Sequence, residues 1–162
     1  MHASGRRYVG GLCGANFGQI TDCSVTGTVS GDDWYVGGLC GLNNGGTDNQ
    51  SYAAVCVLGK SLYVGGLCGG NYQGTIIRCY SASRVYGYGN NVGGLCGYNF
   101  SSGVIRNSYA TGPVDGSGNN VGGLCGGNSS GSISQCHASG MVMGVSSVGG
   151  LVGYNFSSGS IY

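Results

Sequence analysis

Nine cysteines, five aspartates and two histidines are the residues of this 162-residue chain whose types could carry chemistry. Cleaving a glycosidic bond needs two carboxyls at a working separation, and a metal-dependent lyase needs a carboxylate cluster. The chain has no glutamate, so Asp22, Asp32, Asp33, Asp48 and Asp115 are the whole supply. Asp22 and Asp48 fall near the same phase on adjacent repeats and form the best candidate acid/base pair, although isolated turn aspartates are the commoner use of such residues. Neither His2 nor His137 has an acidic neighbour in sequence to orient it, which leaves a nucleophile relay without support. No CxxC spacing occurs, so neither zinc nor any other cofactor is expected. The reading is of a protein that is not an enzyme.

The cysteines admit two readings. Cys13 with Cys23, Cys68 with Cys79 and Cys125 with Cys136 would close loops of about ten residues, each adding about 2–3 kcal/mol by the chain-entropy model. Cys40 with Cys56 would be a fourth pair, leaving Cys96 as a free thiol. In the other reading the thiols are small buried apolar groups stacked in a ladder, since five of them occupy a position that valine takes in the last repeat.

What must position all these residues is a repeat. VGGLCG begins at Val9, Val36, Val64, Val92 and Val121, and VGGLVG at Val148, so the starts are 27, 28, 28, 29 and 27 residues apart. A fixed period of this size predicts a solenoid, in which each coil buries its apolar face against its neighbours. The 38 glycines recur at fixed phase among Val, Leu, Ile and Tyr, which distinguishes the chain from disordered low-complexity sequence. Six lysines and arginines are scattered, with a net charge of +1, so no basic stripe points to nucleic acid. No apolar run is long enough for membrane insertion.

Aligned on the valine, each coil carries an asparagine seven residues on: Asn16, Asn43, Asn71, Asn99, Asn128 and Asn155. Stacked at about 4.8 Å per coil, their amides can hydrogen-bond along the axis as a structural ladder; an asparagine-lined ligand face is the competing reading. Gly14, Gly41, Gly69, Gly97, Gly126 and Gly153 hold the position two earlier, where a corner needs positive φ or close backbone approach. An aromatic follows the asparagine in four coils, then a short strand ending on Ile20, Ile76, Ile105, Ile133 or Ile161. The second coil has Asp48 at that phase, within a polar stretch from Asn44 to Ser51, and is expected to bulge or pack weakly there. A last strand carries Val29, Val57, Val85, Val114 and Val142. The expected architecture is all-β: a parallel β-solenoid forming one domain over 1–162, with about six coils of 27–29 residues, three short strands per coil and incomplete terminal coils.

The pattern VGGLVGYN, then G-x-I, then SYATG-x-V-x-G, clearest from Val92 to Gly126, resembles the GLUG-motif repeat of bacterial surface, adhesin-like and IgA-peptidase-type proteins. The repeated cysteine in place of the second valine departs from that pattern. The resemblance implies a right-handed β-solenoid, located outside the cell or on a bacterial surface, with no catalytic residue in the repeats.

Neither terminus reads as a polar capping repeat, and an open solenoid end presents unpaired strands and apolar surface. Met1-His-Ala-Ser-Gly5 is similar to Cys136-His-Ala-Ser-Gly140, so the end of one copy is expected to be continued by the start of the next. Met1, His2, Ala3, Ser4, Gly5, Tyr8 and Val9 would meet Ser160, Ile161 and Tyr162 of another copy, and a contact of that kind that does not close gives a filament. The expected function is therefore a self-assembling structural subunit, its partner another copy of itself. The alternative is an adhesin-type module binding a surface glycan or protein, and a polysaccharide-acting enzyme is a distant third.

Overall fold

The computed structural model describes residues 1–162 and contains 27 strands and no helix. The strands form one sheet of nine and three sheets of six, and successive coils pair parallel and in register along each. Equivalent residues of the repeat lie directly above one another: Val36, Val64, Val92 and Val121 in one sheet, Cys40, Cys68, Cys96 and Cys125 in the next, and Ile76, Ile105 and Ile133 in the third. The parallel solenoid of about six turns is thus built as the period requires.

Four sheet rows line the axis where three strands per coil were expected. The motif itself divides into a Val-Gly strand, such as Val36–Gly37, and a longer strand, such as Cys40–Asn44. The bend between them depends on the first motif glycine. A Cβ on Gly37 would stand 2.0 Å from the carbonyl oxygen of Cys40, so no side chain fits there. The fourth row is the long strand of eight residues at Ser24–Gly31 and Tyr52–Gly59. In later coils it breaks in two, as at Tyr109–Ala110 and Val114–Gly116, and Pro113, which has no N–H to give a ladder, falls in that break.

The corners are columns too. Asp22, Gln50, Arg78, Asn107 and Gln135 repeat one left-handed conformation (φ 50–54°), and Tyr35, Tyr63, Asn91, Asn120 and Ser147 another (φ 52–63°). Left-handed geometry costs an L-residue roughly 1–2 kcal/mol, so these corners are held by the stacked sheets on either side. The glycine row from Gly14 to Gly153 does not use positive φ. Its role is close approach: a Cβ on Gly41 would lie 2.5 Å from the Gly14 carbonyl oxygen and 2.7 Å from the Val9 nitrogen.

Inside the coils, columns of Val, Leu, Cys and Ile form one continuous apolar core. Leu39, Leu67, Leu95 and Leu124 are completely enclosed. The second coil does not bulge. Thr47–Asn49 pairs in register with Gln19–Thr21 below and Thr75–Ile77 above, so the polar stretch is accommodated without an extra residue. Its cost falls on hydrogen bonding instead, because Asp48 Oδ2 and Asn49 Oδ1 are buried without a partner.

Candidate functional site: the axial ladders and the end faces

The asparagines form an unbroken, directional ladder. Asn16 Nδ2 donates to Asn43 Oδ1 at 2.9 Å, Asn43 to Asn71 at 2.9 Å, and Asn71 to Asn99, Asn99 to Asn128 and Asn128 to Asn155 at 2.8 Å each. Each of the last five amides also donates to a carbonyl three or four residues ahead in its own coil, as Asn99 does to Gly103 at 3.0 Å. Asn43, Asn71, Asn99 and Asn128 are fully enclosed, so they offer a ligand nothing. Asn99→Ala would leave the Oδ1 of Asn128 without its donor and take one of two donors from the Gly103 carbonyl, which keeps the Ser132 N–H; the expected loss is about 1–3 kcal/mol in a denaturant titration. The exposed Asn155 is a control whose replacement should leave the midpoint nearly unchanged.

All nine cysteines are free thiols. Cys13, Cys40, Cys68, Cys96 and Cys125 make a second column, with Cys13 Sγ donating to Cys40 Sγ at 3.6 Å. The proposed in-coil pairs are not made, because the two members of each occupy different columns. Cys68 Sγ donates to the Gly70 carbonyl while Cys79 Sγ donates to that of Asp48; Cys125 turns to Gly127 and Cys136 to Ser134; Cys23 turns to Thr21. Cys40 with Cys56 fails for a simpler reason, since Cys40 is enclosed and Cys56 faces outward from its strand. Cys96, assigned above as the unpaired thiol, lies in the middle of the column. Burial pushes the Cys96 thiol far above its ordinary range, which keeps it protonated and unreactive. Cys23, Cys79 and Cys136 alternate with Ser51 and Ser108 in a third column, where the Cys23 and Cys79 N–H groups donate to the hydroxyl of the next coil's serine.

The two candidate carboxylates are not brought together. Asp22 stands exposed at a left-handed corner, aligned with Gln50, whereas Asp48 occupies the isoleucine column between Ile20 and Ile76. Burial pushes the Asp48 carboxyl up to about 6, only partly offset by the Ser51 and Cys79 side chains. Cys79 Sγ lies 3.6 Å from its Oδ1. No three His, Cys or Asp side chains converge on a point where a metal ion could be held.

The residues assigned to a head-to-tail contact lie at opposite ends of the axis. His2–Gly5 pairs with Thr28–Gly31, Tyr8 stacks on Tyr35, and Val9 lies beneath Val36. At the other end Ser160–Ile161 lies on Ser132–Ile133, and the Tyr162 N–H donates to the Ile133 carbonyl. The resemblance of Met1–Gly5 to Cys136–Gly140 does not hold structurally. Ala3 joins the Val29 and Val142 column, not that of Ala138, because Gly5 is four residues before Val9 just as Gly144 is before Val148. Were the columns continued in register into another copy, Ile161 would meet Ile20, Val148 would meet Val9 and Asn155 would meet Asn16, in place of Ile161 against His2 to Val9.

A model of one repeat family, described as the GLUG motif, matches residues 5–30, 61–86, 88–115 and 117–142, together well over half of the chain. The chain belongs to the GLUG-motif family. Comparison with curated proteins and with solved structures found no match. The GLUG matches skip the second coil, the one in which Asp48 replaces the column isoleucine.

The GLUG coils carry two further columns that the alignment on valine did not single out. Tyr8, Tyr35 and Tyr63, each just before a motif valine, stack at 5.5 and 4.8 Å between ring centroids. On the outer face of the long sheet Tyr52, Tyr80, Tyr109 and His137 stack with interplanar angles of 3–5°. The signal for the second was the residue following each Cys or Ser of the third column.

Proposed function

We propose that this GLUG solenoid is a non-enzymatic structural protein that works outside the cell or on a bacterial surface and stacks head to tail with copies of itself into a filament or matrix. The observation that carries this reading is where the apolar surface lies. Of thirteen exposed large apolar side chains, eleven lie within residues 1–17 or in the stretch from Met141 onward, and only Trp34 and Tyr88 lie between. Matched polarity supports it: the asparagine ladder leaves a donor at Asn155 and an acceptor at Asn16, so unlike ends complement one another and like ends do not.

Replacing Ile161 by lysine would place an unpaired charge against Ile20 of the next copy. Folded monomers are expected by sedimentation and circular dichroism where the unmodified chain gives axial polymers; filaments unaltered by Ile161→Lys would remove the reading. A binding module for a glycan or protein is the second reading, favoured by one surface concavity of about 150 Å³ lined by Arg84, Tyr86, Pro113, Asp115, Met141 and Met143. Small-ligand sites usually enclose about 300–1,000 Å³, so stacking is preferred.

A further inference from the structure

The outer row of Tyr52, Tyr80, Tyr109 and His137 belongs neither to the proposed head-to-tail contact nor to the core. Successive ring centroids are 4.8, 5.0 and 4.9 Å apart. The backbone register pairs Tyr52 with Tyr80 and Tyr80 with Tyr109, so the sheet holds equivalent ring edges side by side without any search of side-chain rotamers. All three phenols are half-buried and point away from the core. Tyr80 and Tyr109 each have a ring on both faces, which leaves a sugar no open face on either. The other tyrosine column is less suited to reaction between neighbours: its rings are inclined by 19° and 25°, and burial raises the Tyr35 phenol to about 12, opposing loss of its proton.

We infer that Tyr52, Tyr80 and Tyr109 form an oxidative cross-linking site, at which a peroxidase with hydrogen peroxide joins neighbouring coils through a dityrosine bond. Each of two adjacent phenols gives up its hydroxyl hydrogen, one proton and one electron. The peroxide takes both electrons and both protons and leaves as two waters. The two phenoxyl radicals pair in a carbon–carbon bond between ring positions ortho to oxygen. The hydrogens on those carbons then shift to the oxygens, restoring two phenols. The product is a covalent staple parallel to the axis, between coils otherwise tied by hydrogen bonds and packing. His137 ends the row and supplies no phenol.

The test treats the dilute, folded chain with horseradish peroxidase and hydrogen peroxide, then reads blue dityrosine emission and the masses of cross-linked peptides. The expected products join Tyr80 to Tyr52 or to Tyr109 within one molecule, each lighter by two hydrogens than the sum of its peptides, and the treated chain resists denaturant better. Tyr80→Phe keeps a ring in the stack but removes the phenol common to both pairs, and it should lose most of the emission. The double variant Tyr52→Phe with Tyr109→Phe should do the same while leaving Tyr80 in place. Tyr88→Phe, at an exposed tyrosine outside the row, should leave the emission unchanged. Emission that survives in both row variants, or links confined to exposed tyrosines of different molecules, would overturn the assignment.

Discussion

Gly94→Ala is expected to abolish cooperative folding, or to cost more than the roughly 4 kcal/mol that marks an exceptional point mutation. A Cβ on Gly94 would stand 2.1 Å from the carbonyl oxygen of Gly123, one coil away. That oxygen is backbone, in the bend between the strands Asn119–Gly122 and Cys125–Ser129, and the neighbouring Leu95 N–H donates to the Leu124 carbonyl at 2.8 Å. Relief requires the coils to separate, which would break the ladders on all sides. Gly38, Gly66 and Gly123 face the same contact at 2.1 Å, whereas Gly150 has no neighbour within 4 Å. A urea titration should therefore show Gly150→Ala unchanged beside a Gly94→Ala that is unfolded or strongly destabilised. Equal tolerance of both would mean that the coils are not packed at backbone contact.

Asp48→Ile should act in the opposite direction. The carboxyl is raised from 3.8 unfolded to about 6 folded, with burial as the main cause. A folded value above the unfolded one means that the fold favours the protonated acid. Stability is then fully present below about pH 4 and is lost as pH rises through 6. At about 1.4 kcal/mol per pH unit, the loss approaches about 3 kcal/mol at neutral pH. Isoleucine restores the column of Ile20 and Ile76 and removes the titrating group. The variant should gain about 3 kcal/mol at pH 7–8 and lose the dependence on pH between 4 and 7. Denaturation midpoints at pH 4 and pH 8 read this directly; parallel behaviour of variant and parent would show that Asp48 is solvated.

Much of the fold could be read from the chain because stacking forces equivalent positions to share one environment. Val64, Ile105 and Asn71 recur at fixed phase since each lies against its own kind. Pair relations within a coil were not legible in the same way. Cys68 and Cys79 are close enough in sequence to suggest a disulfide, but a solenoid side chain meets the same position of the next coil before it meets its own coil's far corner. Asp48 was visible as an irregularity, yet its register shows only in the paired strand, where Thr47–Asn49 keeps the spacing and gives up hydrogen bonds instead. The phase of His2–Gly5 could have been found from the four-residue step from Gly5 to Val9; similarity of letters to Cys136–Gly140 concealed it.

Head-to-tail stacking is tested most directly by Gly150→Ala in an assembly measurement. Gly11 and Gly38 point a missing Cβ at the carbonyl of the same glycine in the next coil, at 2.5 and 2.1 Å, and in-register stacking would set Gly150 against Gly11 of the next copy in the same way. The unmodified chain should form fibres whose electron-microscopic images show a spacing of about 4.8 Å and an axial repeat of roughly 29 Å, six coils per subunit. Gly150→Ala should remain folded, with an unchanged denaturation midpoint, and sediment as a monomer. Fibres of Gly150→Ala identical to those of the parent, or a parent that stays monomeric at high concentration, would contradict the stacking.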